Sequence, residues 1–102
     1  MKTYPERKTI FVDVDGTLLI NDQINQRLCS WIKTKYIDGY EIIIWSMQGA
    51  KYADKICKRA KLEFVVTHCI SKPGTIVDDE GWLWTKNCKK AAVNPSLNSQ
   101  YP

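Results

Sequence analysis

Two aspartates, Asp13 and Asp15, stand one residue apart at the end of the apolar run Phe11-Val12, and Gly16-Thr17 follow directly. A second acidic pair, Asp78-Asp79, closes the run Thr75-Ile76-Val77. Carboxylates gathered at one place repel: two unit charges about 4 Å apart cost roughly 4 kcal/mol at an effective dielectric of about 20. Three or four of them together require a counter-cation, and hard carboxylate oxygens suit Mg²⁺. Mg²⁺ held by one or two carboxylates completes its octahedron with water and phosphate oxygens, so the acids point to a phosphorylated substrate. Two further residues fit such a group. Ser46 closes a second apolar run just ahead of Gly49-Ala50, where the start of a helix offers free N–H groups to an anion. Lys72, in Ser71-Lys72-Pro73-Gly74, places a fixed positive charge shortly before the second acidic pair.

These residues need a scaffold that brings them to one edge, and the hydrophobic pattern supplies one. Apolar runs alternate with segments of helical period, the pattern of a parallel α/β sheet. Thr9 to Val12 reads as a first strand, apolar on both faces. Asn21 or Asp22 can cap a helix carrying Ile24, Leu28, Trp31, Ile32 and Tyr36 at helical spacing, which Asp38-Gly39 ends. Glu41 to Ser46 is a second, buried strand, and a second helix opens at Gly49-Ala50 with Ala53, Cys57 and Ala60 on one face. Phe64 to Thr67 reads as a third strand and Thr75 to Val77 as a fourth. The expected fold is a small, doubly wound, Rossmann-like parallel sheet of about four or five strands. The first strand lies at its centre, helices cover both faces, and both acidic pairs meet at its carboxyl edge.

With 44% hydrophobic and 25% charged residues in 102, the composition fits one globular domain and excludes a disordered or fibrous chain. The start, MKTYPERK, is polar, and no apolar run approaches the roughly 18 residues of a membrane span, so the expectation is a cytoplasmic protein without membrane partners. Cys29, Cys57, Cys69 and Cys88 form no C-x-x-C pair and are expected to be buried free thiols. The net charge of +4 mildly favours anionic partners. A catalytic domain over residues 1–93 is expected to end in a flexible tail, residues 94–102, rich in Asn, Ser and Pro. Just before it, Trp82 and Trp84 are expected as a short strand or an aromatic flap. Lys86, Lys89 and Lys90 beside them leave a nucleic-acid contact open against ordinary packing and solvation.

Taken together, Asp-Val-Asp-Gly-Thr after an apolar strand, a strand-ending Ser, Lys-Pro and a final Asp-Asp resemble the four motifs of haloacid dehalogenase superfamily phosphatases, over about residues 8–80. The resemblance implies that Asp13 attacks phosphorus to form an aspartyl phosphate, while Asp15 protonates the leaving oxygen and later activates water. Asp15 is expected to have its proton affinity raised by neighbouring carboxylates. Asp13, the Asp15 backbone carbonyl and Asp78 would hold Mg²⁺, with Asp79 as a supporting or alternative ligand. Ser46, Met47 and Lys72 would bind the phosphoryl oxygens, and Lys72 would also steady Asp13. The acid at position 15 favours phosphatases over the dehalogenase and ATPase branches. Lys72 lies only five residues before Asp78, closer than in many larger members.

Plainer roles stand beside these: Ser46 as a helix cap, Lys72 as a solvated lysine, His68 as an ordinary polar residue at a strand end. The intervals between motifs leave no room for an inserted cap domain, so the resemblance is to a minimal, uncapped member covered locally by the turn Leu18 to Asp22. An open cleft of this kind admits a phosphorylated small molecule, a phosphate on a protein or a nucleic-acid end, or is covered by a second copy in a homo-oligomer. Two other classes compete with the enzyme: a receiver-like phospho-accepting signalling module, and an idle interaction protein of the same fold. Receivers carry their phosphorylated Asp after the third strand, which here runs into Thr-His-Cys.

Overall fold

The computed structural model describes Pro5 and residues 7–91. Within them, the β-branched and aromatic stretch Thr9–Asp13 forms β1, and Glu41–Ser46, with three consecutive isoleucines, forms β4. Between these lie a two-residue pair, β2 (Leu19–Ile20) and β3 (Gln23–Ile24), and helix α1 (Gln26–Ile37). Helix α2 (Ala50–Arg59), strand β5 (His68–Ser71) and a 3₁₀ turn, Leu83–Asn87, follow.

The sheet has three parallel strands in the order β1-β4-β5. β1 is therefore an edge strand rather than the centre, and β4, the most apolar of the three, takes the middle. Both crossovers step the same way across the sheet, and right-handed connections that do so lay both helices on one face. The core shows this: Val12, Ile42 and Ile44 pack in one cluster with Leu28, Cys29 and Ile32 of α1 and Ala53, Ile56 and Cys57 of α2. The alternate positions, Phe11, Ile43, Trp45 and Ile70, point to the other face, on which neither α1 nor α2 lies. There Phe11 is 46% exposed and meets Trp45 edge-on, ring centroids 4.6 Å apart. A doubly wound sheet of four or five strands with helices on both faces is thus not what these residues build.

Two expected strands are absent for local reasons. Lys61 leaves α2 in the left-handed region (φ +59°), and the amides of Val65 and Val66 both donate to the carbonyl of the fully buried Leu62. Phe64 to Thr67 is therefore spent in a turn, and the ladder begins only where the Thr67 amide reaches the Ile42 carbonyl, giving a third strand at His68–Ser71. Thr75 to Val77 pairs with nothing in the sheet, and Val77 is almost wholly exposed. Three residues after Pro73-Gly74 offer too few ladder bonds to hold against β1 without a covering helix.

The first helix begins later than Asn21 or Asp22. Those two residues occupy the left-handed region (φ +51° and +61°) and form the two-residue loop of a small hairpin, in which Leu19 pairs with Ile24. Asn and Asp accept that conformation more readily than other side chains. Asn25 is the N-cap instead: its Oδ1 accepts the Leu28 amide at 3.2 Å, and its Nδ2 donates to the Thr17 carbonyl at 3.1 Å. One side chain thus ties the start of α1 to the loop that follows β1. Gly39, at φ +93°, takes the chain out of α1 as Asp38-Gly39 predicts.

Cys29 and Cys57 are buried and Cys69 is partly so, all as free thiols, whereas Cys88 is exposed. Trp82 and Leu83 are exposed at the 3₁₀ turn, so Trp82 and Trp84 do not form a strand. The expected tail, residues 94–102, lies outside the described residues. No helix among the described residues is long and apolar enough to cross a membrane.

Candidate active site

β1 ends at Asp13, and the chain turns at once through Val14 to Leu18. The Thr17 and Leu19 amides donate to the Val14 carbonyl, and the Gly16 amide donates to the Leu19 carbonyl at 2.8 Å. Gly16 sits at φ +79°, where a side chain would be strained, so this tight loop depends on glycine. The loop holds Asp13 and Asp15 at the carboxyl edge of the sheet, the edge at which parallel α/β sheets place their sites.

Asp13 is paired with a cation. Lys72 Nζ lies 3.0 Å from Asp13 Oδ1, and Thr17 Oγ1 donates a long bond of 3.4 Å to Asp13 Oδ2. The lysine is aimed by its own backbone, because the Lys72 amide donates to the Ser46 carbonyl at 2.9 Å and so fixes the exit of β5 to the end of β4. Its ammonium also lies 5.6 Å from the centre of the Trp45 ring. Trp45 is the register partner of Asp13, so the nucleophile candidate, the aromatic ring and the lysine form one group on the face opposite α1 and α2.

Ser46 stands on the other side. It is 2% exposed, and its Oγ accepts the Gln48 amide at 3.0 Å, which makes it a turn-former ahead of α2 as well as a phosphate-binding candidate. The first helical amide, Ala50 N–H, donates to Ser71 Oγ at 2.9 Å. Ser71 thereby replaces the cap that Gly49, without a side chain, cannot provide. The side chain of Met47 is exposed at the turn.

Asp15 is held from α2. Tyr52 OH donates to Oδ1 and Gln48 Nε2 donates to Oδ2, each at 2.6 Å. The hydroxyl of Tyr52, and secondarily the Gln48 amide, hold the Asp15 carboxyl below its ordinary range, and the same contact raises the Tyr52 hydroxyl. This corrects the expectation of raised proton affinity: Asp15 faces hydrogen-bond donors, not other carboxylates.

Asp78 and Asp79 are exposed, and Asp78 Oδ1 accepts the Glu80 amide in a local turn at 2.8 Å. Without a fourth strand nothing carries them to the end of β1. Among the described residues no three His, Cys, Asp or Glu side chains assemble into a cation site. The donors are right in kind for Mg²⁺, all hard oxygens, but the structure gathers Asp13 and Asp15 without Asp78 or Asp79. His68 opens β5 at the opposite edge of the sheet.

Gln48, Tyr52 and Ser71 join the site although the motifs do not single them out, and Thr17, the last residue of Asp-Val-Asp-Gly-Thr, joins it through Asp13. Gln48 lies in the turn before α2 and Tyr52 in the first turn of that helix, and their convergence on Asp15 depends on how α2 packs beside the loop after β1. Ser71 can be recognised only once β5 is known to end beside α2. No protein-family model, curated protein or solved structure matches the chain.

Proposed function

We propose that the protein is a Mg²⁺-dependent phosphomonoester hydrolase of the haloacid dehalogenase type, working through an aspartyl phosphate on Asp13. The observation that carries this reading is the Asp13–Lys72 pair at the carboxyl edge of β1, 3.0 Å apart and next to the glycine-dependent loop that presents Asp15. An ammonium in contact with the carboxylate orients it for attack, and the same ammonium can stabilise charge on the phosphoryl oxygens.

In the first step an Asp13 oxygen forms a bond to phosphorus while the bond to the ester oxygen breaks, and the departing oxygen takes a proton from Asp15. In the second, Asp15 removes a proton from water, which attacks phosphorus and releases inorganic phosphate from Asp13. The ionised resting state of Asp15 suits the second step directly. A phosphoryl dianion arriving beside it favours the protonated form that the first step needs. Mg²⁺ would be held by Asp13 and the Asp15 carbonyl and would neutralise phosphoryl charge; Asp78 and Asp79 are not gathered with them into a cation site among the described residues. The hairpin β2–β3 is the only element between the first motif and α1, so the cleft is open to a small phosphate ester or to a phosphate on a macromolecule, a nucleic-acid end included.

The test is hydrolysis of an activated aryl phosphate by the purified chain with Mg²⁺. Turnover that stops on chelation, and a phosphate trapped on Asp13 by acid quench, are expected. Activity in Asp13→Asn near that of the parent would sink the reading.

A further inference from the structure

Asp15 is itself exposed, on a loop anchored by the fully buried Val14 and Leu18, and both of its carboxylate oxygens are engaged by donors from the segment that opens α2. Tyr52 OH is 2.6 Å from Oδ1 and Gln48 Nε2 is 2.6 Å from Oδ2. We propose that Tyr52, seconded by Gln48, is the positioning residue for Asp15, setting the direction in which that carboxylate meets the leaving oxygen and the hydrolytic water. The proposal rests on the phosphatase reading and assigns it two residues that its motifs do not include.

The two donors are themselves well anchored. The ring of Tyr52 is partly buried against the core, so its hydroxyl projects from a fixed base rather than from a free side chain. Gln48 is set by its own amide, which donates to Ser46 Oγ, and Gly49 N–H donates to the Ser46 carbonyl. Ala50 N–H is held by Ser71 Oγ. A continuous set of bonds therefore runs from the ends of β4 and β5, through the start of α2, to the Asp15 carboxylate. An unrestrained aspartate samples several rotamers, whereas two donors on separate oxygens select one. Proton transfer demands hydrogen-bond reach, and a displacement of about 1 Å costs on the order of 10²-fold in rate.

The test combines Tyr52→Phe with Asp15→Asn and compares alkyl with aryl phosphates. An alkoxide needs a proton as it departs and an activated aryl oxide does not, so only the alkyl ester reports Asp15 in the first step. Tyr52→Phe should lower kcat on the alkyl ester by about 10- to 100-fold with KM nearly unchanged, and should leave the first-turnover burst on the aryl ester close to that of the parent. In the Asp15→Asn background the same substitution should have little further effect. Equal losses on both esters, or an undiminished loss in the Asp15→Asn background, would show a merely structural tyrosine and overturn the proposal. Gln48→Ala, on an exposed turn, should show the same pattern to a smaller extent, and it decides the matter if Tyr52→Phe does not fold.

The contact itself can be read without turnover. With 3-fluorotyrosine placed at position 52, the ¹⁹F resonance should move on Asp15→Asn, and a resonance that stays in place overturns the proposal. A parent protein with no phosphatase activity but a resonance that moves would remove the proposed reaction while supporting Tyr52 as the residue that fixes Asp15.

Discussion

Lys72→Met offers the sharpest test of how the site is held together. The substitution keeps most of the stem that lies over Trp45 and removes the charge. At 3.0 Å the Asp13–Lys72 attraction is about 5 kcal/mol at an effective dielectric of about 20. The two side chains are 27% and 35% exposed, which lets water screen much of that attraction. Fully exposed pairs contribute about 0.2–1 kcal/mol, while breaking a buried one costs about 3–5 kcal/mol. This half-buried pair falls between, at about 1–2 kcal/mol, part of it the loss of the ammonium from the Trp45 face. For a domain of this size that is a fall of about 5–10 °C in melting temperature. Salt should narrow the gap between variant and parent, because the pair is partly screened. In the Asp13→Asn background the cost should largely vanish, since the partner is already neutral. Loss of a cation that stabilises developing charge should also lower kcat by about 10²- to 10³-fold. Thermal unfolding at low ionic strength and single-turnover hydrolysis read the two effects separately. An unchanged melting temperature together with unchanged kcat would refute the pairing and the role built on it.

Other outcomes follow from the same geometry. Asp13→Asn should leave the fold intact and hold or lower the melting temperature rather than raise it, because calorimetry would be reporting a lost lysine partner and not relieved carboxylate repulsion. Asn25→Ala removes the cap of α1 and the tie to the Thr17 carbonyl, and should cost about 1–2 kcal/mol in urea unfolding. Cys57, pushed up to about 12 by burial, and the buried Cys29 should resist a thiol reagent at pH 8 until denaturant is added, while the exposed Cys88 reacts first; rapid native labelling of all four would contradict the packing. Asp15, held below its ordinary range, contributes stability that is present above its unfolded value, near pH 4, and is lost as pH falls through the lower folded value. Asp15→Asn should accordingly flatten that part of the acid unfolding curve.

Much of this was already in the order of residues. Glu41–Ser46 is a strand with the predicted bounds, because a run of β-branched residues flanked by polar ones has few other uses. α2 starts at Ala50 after Gly49, and α1 stops where Asp38-Gly39 demands. What periodicity does not carry is pairing. A short apolar run such as Phe64 to Thr67 reads as a strand until the buried Leu62 carbonyl captures the amides of Val65 and Val66. Thr75 to Val77 reads as a strand until it is seen to have no neighbour. The same gap decided the acids: Asp13 and Asp15 share a loop by covalent connection, but Asp78 could join them only through a strand that the described chain does not form. The partners that Asp13 and Asp15 do have, Lys72 and Tyr52 with Gln48, come from 33 to 59 residues further along the chain. Contacts across such separations are set by how the strands order and the helices pack, which is why only the tertiary structure supplies them.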